Sequence, residues 1–432
     1  MRRPTFTPLL AALLAATFAT PALPAAATAG AASPASGRHC PTVRVPGAER
    51  AVTSCLTDLT TAGTIRTGHT DPADWAGLEA PGTVTPSGVA GVQVDGFFPD
   101  TSTTNTNFGW NHDAQFVLRL PMDWNGGLVV AGPPATREQF ANDRIISDQV
   151  LARGYAYAAT DKGNTGPAPY LDGRRPGDAI LEWHRRMTQL TRAARKVTTA
   201  HYGRRPTRTY AAGLSAGGYL VRWQLEHHPS LYTGGVTWNA LLFAPDGPHL
   251  LTTLPPALRA FPRYAQGDPA GRAALLAAGY PAGSEPVWPA SYQTQWDTLQ
   301  RILREELDPT YDGATLAGTP FCPEGTGPGC DTDYDYASRP ASVRRAVARI
   351  SLTGRIGRPL VAIQGDLDAL ALPFTADVYT DMVAHSGRAR LYHPITVPGG
   401  THVDGFVPLA PTLRPMLPAF VDALTTLESR TD

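Results

Sequence analysis

The stretch "TYAAGLSAGGYL", residues 209–220, sets a serine between two glycines at the end of an apolar run. Few local patterns restrict a fold as much. The serine of a G-x-S-x-G turn stands on a tight strand-to-helix turn at the edge of an α/β sheet, and the fold supplies an acid and then a histidine later in the chain. The string alone is a weak signal, because a chain with 42 glycines produces it by accident in roughly one such composition in seven. Context decides. "RRPTRTYAAG" reads as a strand running into Ser215, and "AGGYLVRWQLEHHP" reads as a helix that leaves it and stops at Pro229.

The flanking sequence supplies the rest of a sheet. "GVQVDGFF" and "AQFVLRLP" alternate apolar and polar positions, as half-buried strands do, and "GGLVVAG" is a continuous apolar run suited to a strand covered on both faces. "TREQFANDRIISDQVLARG" has helical spacing closed by Gly154, "YAYAAT" is the next strand, and the longest helical stretch runs from about Pro176 to His201. After "GGVTWNALLFAP", two further strands fall in "RPLVAIQGDLDALALP" and "RLYHPITVPGGTH", with helices expected at about 374–385 and 410–427. This alternation predicts a mostly parallel central sheet with helices on both faces, the setting a nucleophile elbow needs, built from residues 89–247 and 358–432. Residues 248–357 break the pattern. They hold short helical pieces, a Gly- and Pro-rich loop and the aromatics Phe261, Tyr264, Tyr280, Trp288, Tyr292, Trp296 and Tyr311. An insertion of this size between late strands predicts a lid over the carboxyl edge of the sheet.

The first residues carry Arg2 and Arg3, an apolar run from Pro8 to about Ala19, and small residues ending in A-x-A, which reads as a secretory signal peptide over residues 1–29. The run is shorter than the roughly 20 residues a membrane span needs, so an exported protein without a membrane anchor is expected. Export into an oxidising compartment makes the local couples Cys40 with Cys55 and Cys322 with Cys330 candidate short-loop disulfides, each stabilising by roughly 2–3 kcal/mol. Residues 38–88, rich in Thr, Gly, Pro and Asp, read as an irregular segment clipped by the first pair. With 37 basic against 37 acidic side chains and no basic run, charge gives no reason to expect nucleic acid or a membrane surface as partner.

A serine hydroxyl is a poor nucleophile near neutral pH, so Ser215 needs a base in hydrogen-bond reach and an acid to orient that base. Three of the 11 histidines follow the insertion. His385 falls in a predicted helix and His393 inside a strand, whereas His402 in "VPGGTHVDG" is on a glycine-rich loop past the last strand, from which it can reach back over the sheet. For the acid, Asp368 is preferred over Asp366 because it lies past the strand end on the loop; Asp366 reads as a turn residue, and Asp404 is too near the base in sequence. The oxyanion needs donors fixed in advance. One is the backbone N–H of Ala216. The other should come from "AGPPATRE", where Pro133 and Pro134 have no N–H to give and leave Gly132 or Ala135.

"LTRAARKVTTAHYGRRPTRTYAAGLSAGGYL", "LVAIQGDLDALALP" and "VPGGTHVDG", with "LPMDWNGGLVVAG" and "LARGYAYAATDKGNTG", resemble the corresponding blocks of the tannase and feruloyl esterase family of α/β hydrolases. The resemblance spans about 115–245 and 358–405 and little of the insertion. It implies hydrolysis of carboxylic esters outside the cell and assigns the triad to Ser215, Asp368 and His402, chemistry that requires no cofactor. Two departures stand out. The family carries a cysteine before the serine and another after the histidine, joined as a disulfide; here these positions are Leu214 and Val403. The family's lid also often binds calcium, for which Asp331, Asp333 and Asp335 are the weak candidates here, in a loop without the spaced glycine and distal acid of a well-specified site. The expectation is therefore a secreted serine esterase acting on small or oligomeric esters, either phenolic esters or hydroxyalkanoate oligomers. A serine peptidase on the same scaffold is the alternative, and a non-catalytic binding protein of the same fold ranks below it.

Overall fold

The computed structural model describes residues 40–102, 104–311 and 331–431; the expected signal peptide and the Cys322 and Cys330 pair lie outside them. Among the described residues the strands are β1 (Arg50–Leu56), β2 (Gly91–Phe97), β3 (Gln115–Pro121), β4 (Gly127–Ala131), β5 (Ala156–Thr160), β6 (Arg208–Leu214), β7 (Gly234–Trp238), β8 (Leu360–Gly365) and β9 (Tyr392–Val397). They form one sheet in the order β1-β2-β3-β5-β4-β6-β7-β8-β9. The pairings from β1 through β3 to β5 are antiparallel, and every pairing from β5 to β9 is parallel. This topology, an antiparallel start running into six parallel strands flanked by helices, is that of the α/β-hydrolase fold.

Alternation along each strand sends neighbours to opposite faces. Val117, Val129, Tyr157 and Tyr210 enter one apolar cluster, and Leu118, Val130, Ala158 and Ala211 enter the other. Among the helices, α1 (Thr61–Thr67) and α2 (Asp148–Leu151) precede α3 (Asp178–Tyr202) and α4 (Ala216–His227), and α3 and α4 cover the second face with Met187, Leu190, Leu220 and Leu225. After the insertion come α10 (Pro373–His385), whose Tyr379 and Val383 join that same face, and α11 (Leu417–Thr431), whose Phe420 and Leu424 cover the first. Within residues 248–357 the described helices are α5 (Leu250–Ala265), α6 (Pro269–Ala277), α7 (Trp288–Ser291), α8 (Asp297–Leu307) and α9 (Ala341–Arg349).

Four local expectations need correction. Residues 38–88 are not irregular throughout: they contain β1 and α1, and Cys40 is bonded to Cys55 on β1. β1 is an edge strand with mostly exposed side chains, so it leaves no apolar period in the sequence. β2 and β3 are buried along their whole length rather than half-buried, because their polar positions enter an internal network. There the Arg119 guanidinium forks onto the Asp143 carboxylate at 2.8 and 2.7 Å and reaches Gln93 Oε1 at 3.1 Å. Helical structure after β4 begins only at Asp143, since the preceding residues are bent into a loop that carries Arg137 and Phe140 to Asp74. The last helix starts at Leu417, not near 410, because the buried Asp404 carboxylate accepts the Met416 and Leu417 N–H groups and defines its first turn. No helix among the described residues is long and apolar enough to cross a membrane.

Candidate active site

Ser215 sits between the last residue of β6 and the first of α4 with φ 57° and ψ −118°, a backbone conformation that a non-glycine residue adopts only under constraint. The constraint is visible on both sides. The Ser215 N–H donates to Trp238 O at the end of β7, and its carbonyl accepts from Tyr219 N within α4 and from Leu241 N beyond β7. The flanking glycines are there for close approach. A Cβ on Gly213 would stand 2.3 Å from the Gly217 backbone, and one on Gly217 would stand 2.1 Å from Gly132 O. Thus the loop after β4 rests directly on the turn that carries the serine.

His402 and Asp368 arrive from loops after β9 and β8. His402 Nδ1 is 2.8 Å from Asp368 Oδ2, and the other carboxylate oxygen accepts the N–H groups of Leu370 and Ala371 at 2.7 and 3.0 Å. Both side chains are buried, as is Ser215. Ser215 Oγ and His402 Nε2 have no hydrogen-bond partner among the described residues, so His402 is bonded to Asp368 and not to Ser215, although both stand at the same sheet edge. The two competing acids have other work. Asp366 Oδ1 accepts the Gly399 N–H at 2.7 Å, and Asp404, pushed up to about 6 by burial, anchors α11 as described above. His385 Nδ1 faces the Asp381 carbonyl within α10, and His393 is beside Arg430.

One organising residue escaped the sequence reading. Asn239, the residue after β7, has φ 45°; its side-chain oxygen accepts the Gly365 N–H at 2.8 Å, and its amide donates to the carbonyls of Thr401 and His402 at 2.7 and 3.1 Å. It links the serine's neighbouring strand to both loops that carry the acid and the base. Its only sequence signal is a polar residue inside "TWNALLF", where a strand end should be apolar.

For the oxyanion donors, Ala216 begins α4 with its backbone at the helix N-terminus. Gly132 is in backbone contact with the elbow through Gly217, whereas Ala135 stands further along the same loop at φ 44°. Leu214 and Val403, at the positions where the family carries its cysteines, belong to one buried apolar cluster.

The insertion's aromatics mainly pack on one another. Phe261 stacks on Tyr292 at 4.3 Å, and Tyr280 meets Trp296 edge-on at 4.9 Å. Trp296 also donates its indole N–H to Ala369 O at 2.7 Å, next to Asp368, so the insertion is tied to the acid's loop. The three calcium candidates do not converge: Asp331 pairs with Arg304, Asp333 accepts from the Tyr311 hydroxyl, and Asp335 caps the short turn at Tyr336. No group of three or more potential metal ligands comes together among the described residues.

Residues 101–240 match the tannase and feruloyl esterase family. The match takes in Gly132 and Ser215 and ends before Asp368 and His402. Over 139 residues the chain is 28% identical to mono(2-hydroxyethyl) terephthalate hydrolase of Piscinibacter sakaiensis, an alignment covering 29% of this chain and 23% of that protein. The chain thus spans under a quarter of the length of the curated relative it matches. Among solved structures, feruloyl esterase B from Aspergillus oryzae superposes with a TM-score of 0.51 at 13% identity, covering 83% of this chain and 81% of that one. Residues 101–240 carry the likeness to this family, and the chain has its fold in common with that esterase.

Proposed function

We propose that this protein is an exported serine carboxylic-ester hydrolase. The observation that carries the reading is the His402–Asp368 hydrogen bond, with the second imidazole nitrogen open, at the sheet edge where Ser215 is held in a strained elbow. In the proposed cycle His402 Nε2 takes the proton of Ser215 as Oγ attacks the ester carbonyl, forming a tetrahedral intermediate. The negative charge falls on the former carbonyl oxygen, where the Ala216 N–H and a donor from the Gly132 to Ala135 loop receive it. Collapse breaks the ester C–O bond as the imidazolium returns its proton to the leaving alcohol. Water then attacks the acyl carbon as His402 takes its proton, and the second tetrahedral intermediate breaks the bond to Ser215 Oγ, which takes that proton from the imidazolium as the acid leaves. Asp368 holds His402 through Nδ1 with Nε2 toward the serine and faces the imidazolium as it forms.

The family match and the terephthalate-ester hydrolase among the relatives favour esters of aromatic acids as substrates, with hydroxyalkanoate oligomers as the second class. The Cys40–Cys55 bond agrees with work in an oxidising, extracellular setting. The deciding test is product release from methyl ferulate, methyl gallate and 3-hydroxybutyrate oligomers by wild type and by Ser215→Ala. The variant is expected to fold normally and to lose at least about 10³-fold in kcat on every accepted ester; a variant turning over at the wild-type rate would remove Ser215 from the mechanism.

A further inference from the structure

We propose that Lys162 is a positioning residue for the ester hydrolysis, its buried ammonium clamping the loop that meets the nucleophile elbow. The proposal rests on Ser215 being the nucleophile. Lys162 is one of only two lysines in a chain that otherwise uses arginine. It follows β5 with φ 73°, and its side chain is completely buried. No carboxylate lies within ion-pair distance of it among the described residues. Instead the ammonium donates to Pro133 O at 3.3 Å and Arg137 O at 3.5 Å, and lies 5.1 Å from the centre of the Trp183 ring on α3.

A buried cation without a counter-ion in contact is costly, and a methionine would fill the same space without that cost. The carbonyls it holds explain its presence. Pro133 and Pro134 have no N–H groups with which to anchor the loop, so the loop must be fixed through its carbonyls. Pro133 O is also 3.4 Å from where a Cβ on Gly217 would lie, and Gly132 O is closer still. The ammonium is therefore one hydrogen bond behind the backbone that sets the second oxyanion donor, while a second bond at Arg137 closes the far end of the same turn. Losing the charge weakens both of these contacts, leaving Gly132 O held by the Asn142 amide at 2.8 Å and the Arg137 side chain held by Asp74 O.

The charge is also adjustable. Burial pushes Lys162 down to about 7, against the opposing pull of Asp161 and Asp113. The charged groups around it are Asp161, itself pushed up to about 7 by burial, Asp113, Arg137 and Glu138 on the clamped loop, and the Glu182 and Arg186 pair beside Gly163 on α3. The ammonium loses its proton as pH rises through the neutral range, and the clamp weakens with it.

The test compares wild type, Lys162→Met, Lys162→Arg and Ser215→Ala on one ester that wild type turns over, with kcat and KM measured from pH 5.5 to 9 and melting temperature alongside. At pH 6.5, Lys162→Met should keep KM within about twofold, lose at least about tenfold in kcat and melt no lower than wild type. Lys162→Arg, which stays charged, should recover most of that loss and hold its rate at alkaline pH, where wild-type kcat falls; the alkaline fall should be missing from Lys162→Met as well. A Lys162→Met enzyme with kcat within twofold of wild type, or with the alkaline fall intact, overturns the proposal. Should Lys162→Met fail to fold, Lys162→Arg decides alone: an unchanged alkaline fall overturns it and loss of that fall supports it. Ser215→Ala separates the two levels, since an active Ser215→Ala refutes the nucleophile, whereas an inactive one beside a fully active Lys162→Met refutes only the role of Lys162.

Discussion

Gly217→Ala is the sharpest test of how the elbow and the loop after β4 depend on one another. The added methyl would lie 2.1 Å from Gly132 O, 3.0 Å from Gly132 C and 3.4 Å from Pro133 O, all backbone atoms that no side-chain rotation can clear. To restore an ordinary contact near 3.4 Å, the loop must retreat by about 1 Å, because the elbow itself is held by Ser215 N–H to Trp238 O and by the contact of Gly213 with the Gly217 backbone. Overpacking of this kind costs about 1–3 kcal/mol, within the reach of a large single domain. The catalytic cost is greater. Displacing one oxyanion donor by about 1 Å removes on the order of 10²–10³ in kcat, with KM nearly unchanged because the donor acts on charge that develops only in the transition state. The assay is steady-state hydrolysis of an accepted ester, with circular dichroism and thermal melting to show that the variant is folded. Covalent labelling of Ser215 by a phosphonate reports whether the serine is still presented. A folded Gly217→Ala enzyme with kcat within threefold of wild type would refute the claim that the loop at Gly132 completes the site.

Asn239→Ala removes the acceptor for the buried Gly365 N–H and both amide bonds to the histidine loop, and it places alanine at φ 45°; stability should fall by about 2–4 kcal/mol in urea unfolding, with kcat reduced further than any folding loss explains. Little change in either quantity would show that the acid and base loops are held by other contacts. Asp74→Asn probes pH dependence away from the triad. Burial raises Asp74 to about 8, so the folded protein holds this proton well above the range where the unfolded chain releases it, and the contribution of Asp74 to stability falls as pH rises from about 4 to about 8. Asparagine still offers an oxygen to the Phe140 N–H. Its melting temperature should therefore gain on wild type progressively between pH 5 and 8, and parallel curves for the two proteins would contradict the assignment.

The candidate site is legible in the sequence as far as its fold ties chemistry to order along the chain. A G-x-S-x-G turn after an apolar run, an aspartate past one late strand and a histidine on a glycine-rich loop past the next are local signals, and strand-helix alternation identified the sheet between them. The preference for Asp368 over Asp366 rests on its place three residues after Gly365, past the strand and on the loop, since two residues apart in an extended segment share a side and orientation does not separate them. What sequence could not supply were contacts between segments far apart in the chain. β1 carries no apolar period because it is an exposed edge, so only its pairing with β2 reveals it. The stretch after β4 has helical spacing yet is bent, because Asp74 and Lys162 hold its backbone from outside. The polar positions on β2 and β3 looked solvent-facing, since alternation distinguishes faces but not what covers them; Arg119 and Asp143 settle that by pairing in the interior. Asn239 and Lys162 each fall in an unremarkable local string. Their importance comes from carbonyl groups brought within hydrogen-bond reach only when the sheet has formed, and a chain read one residue at a time has no term for that.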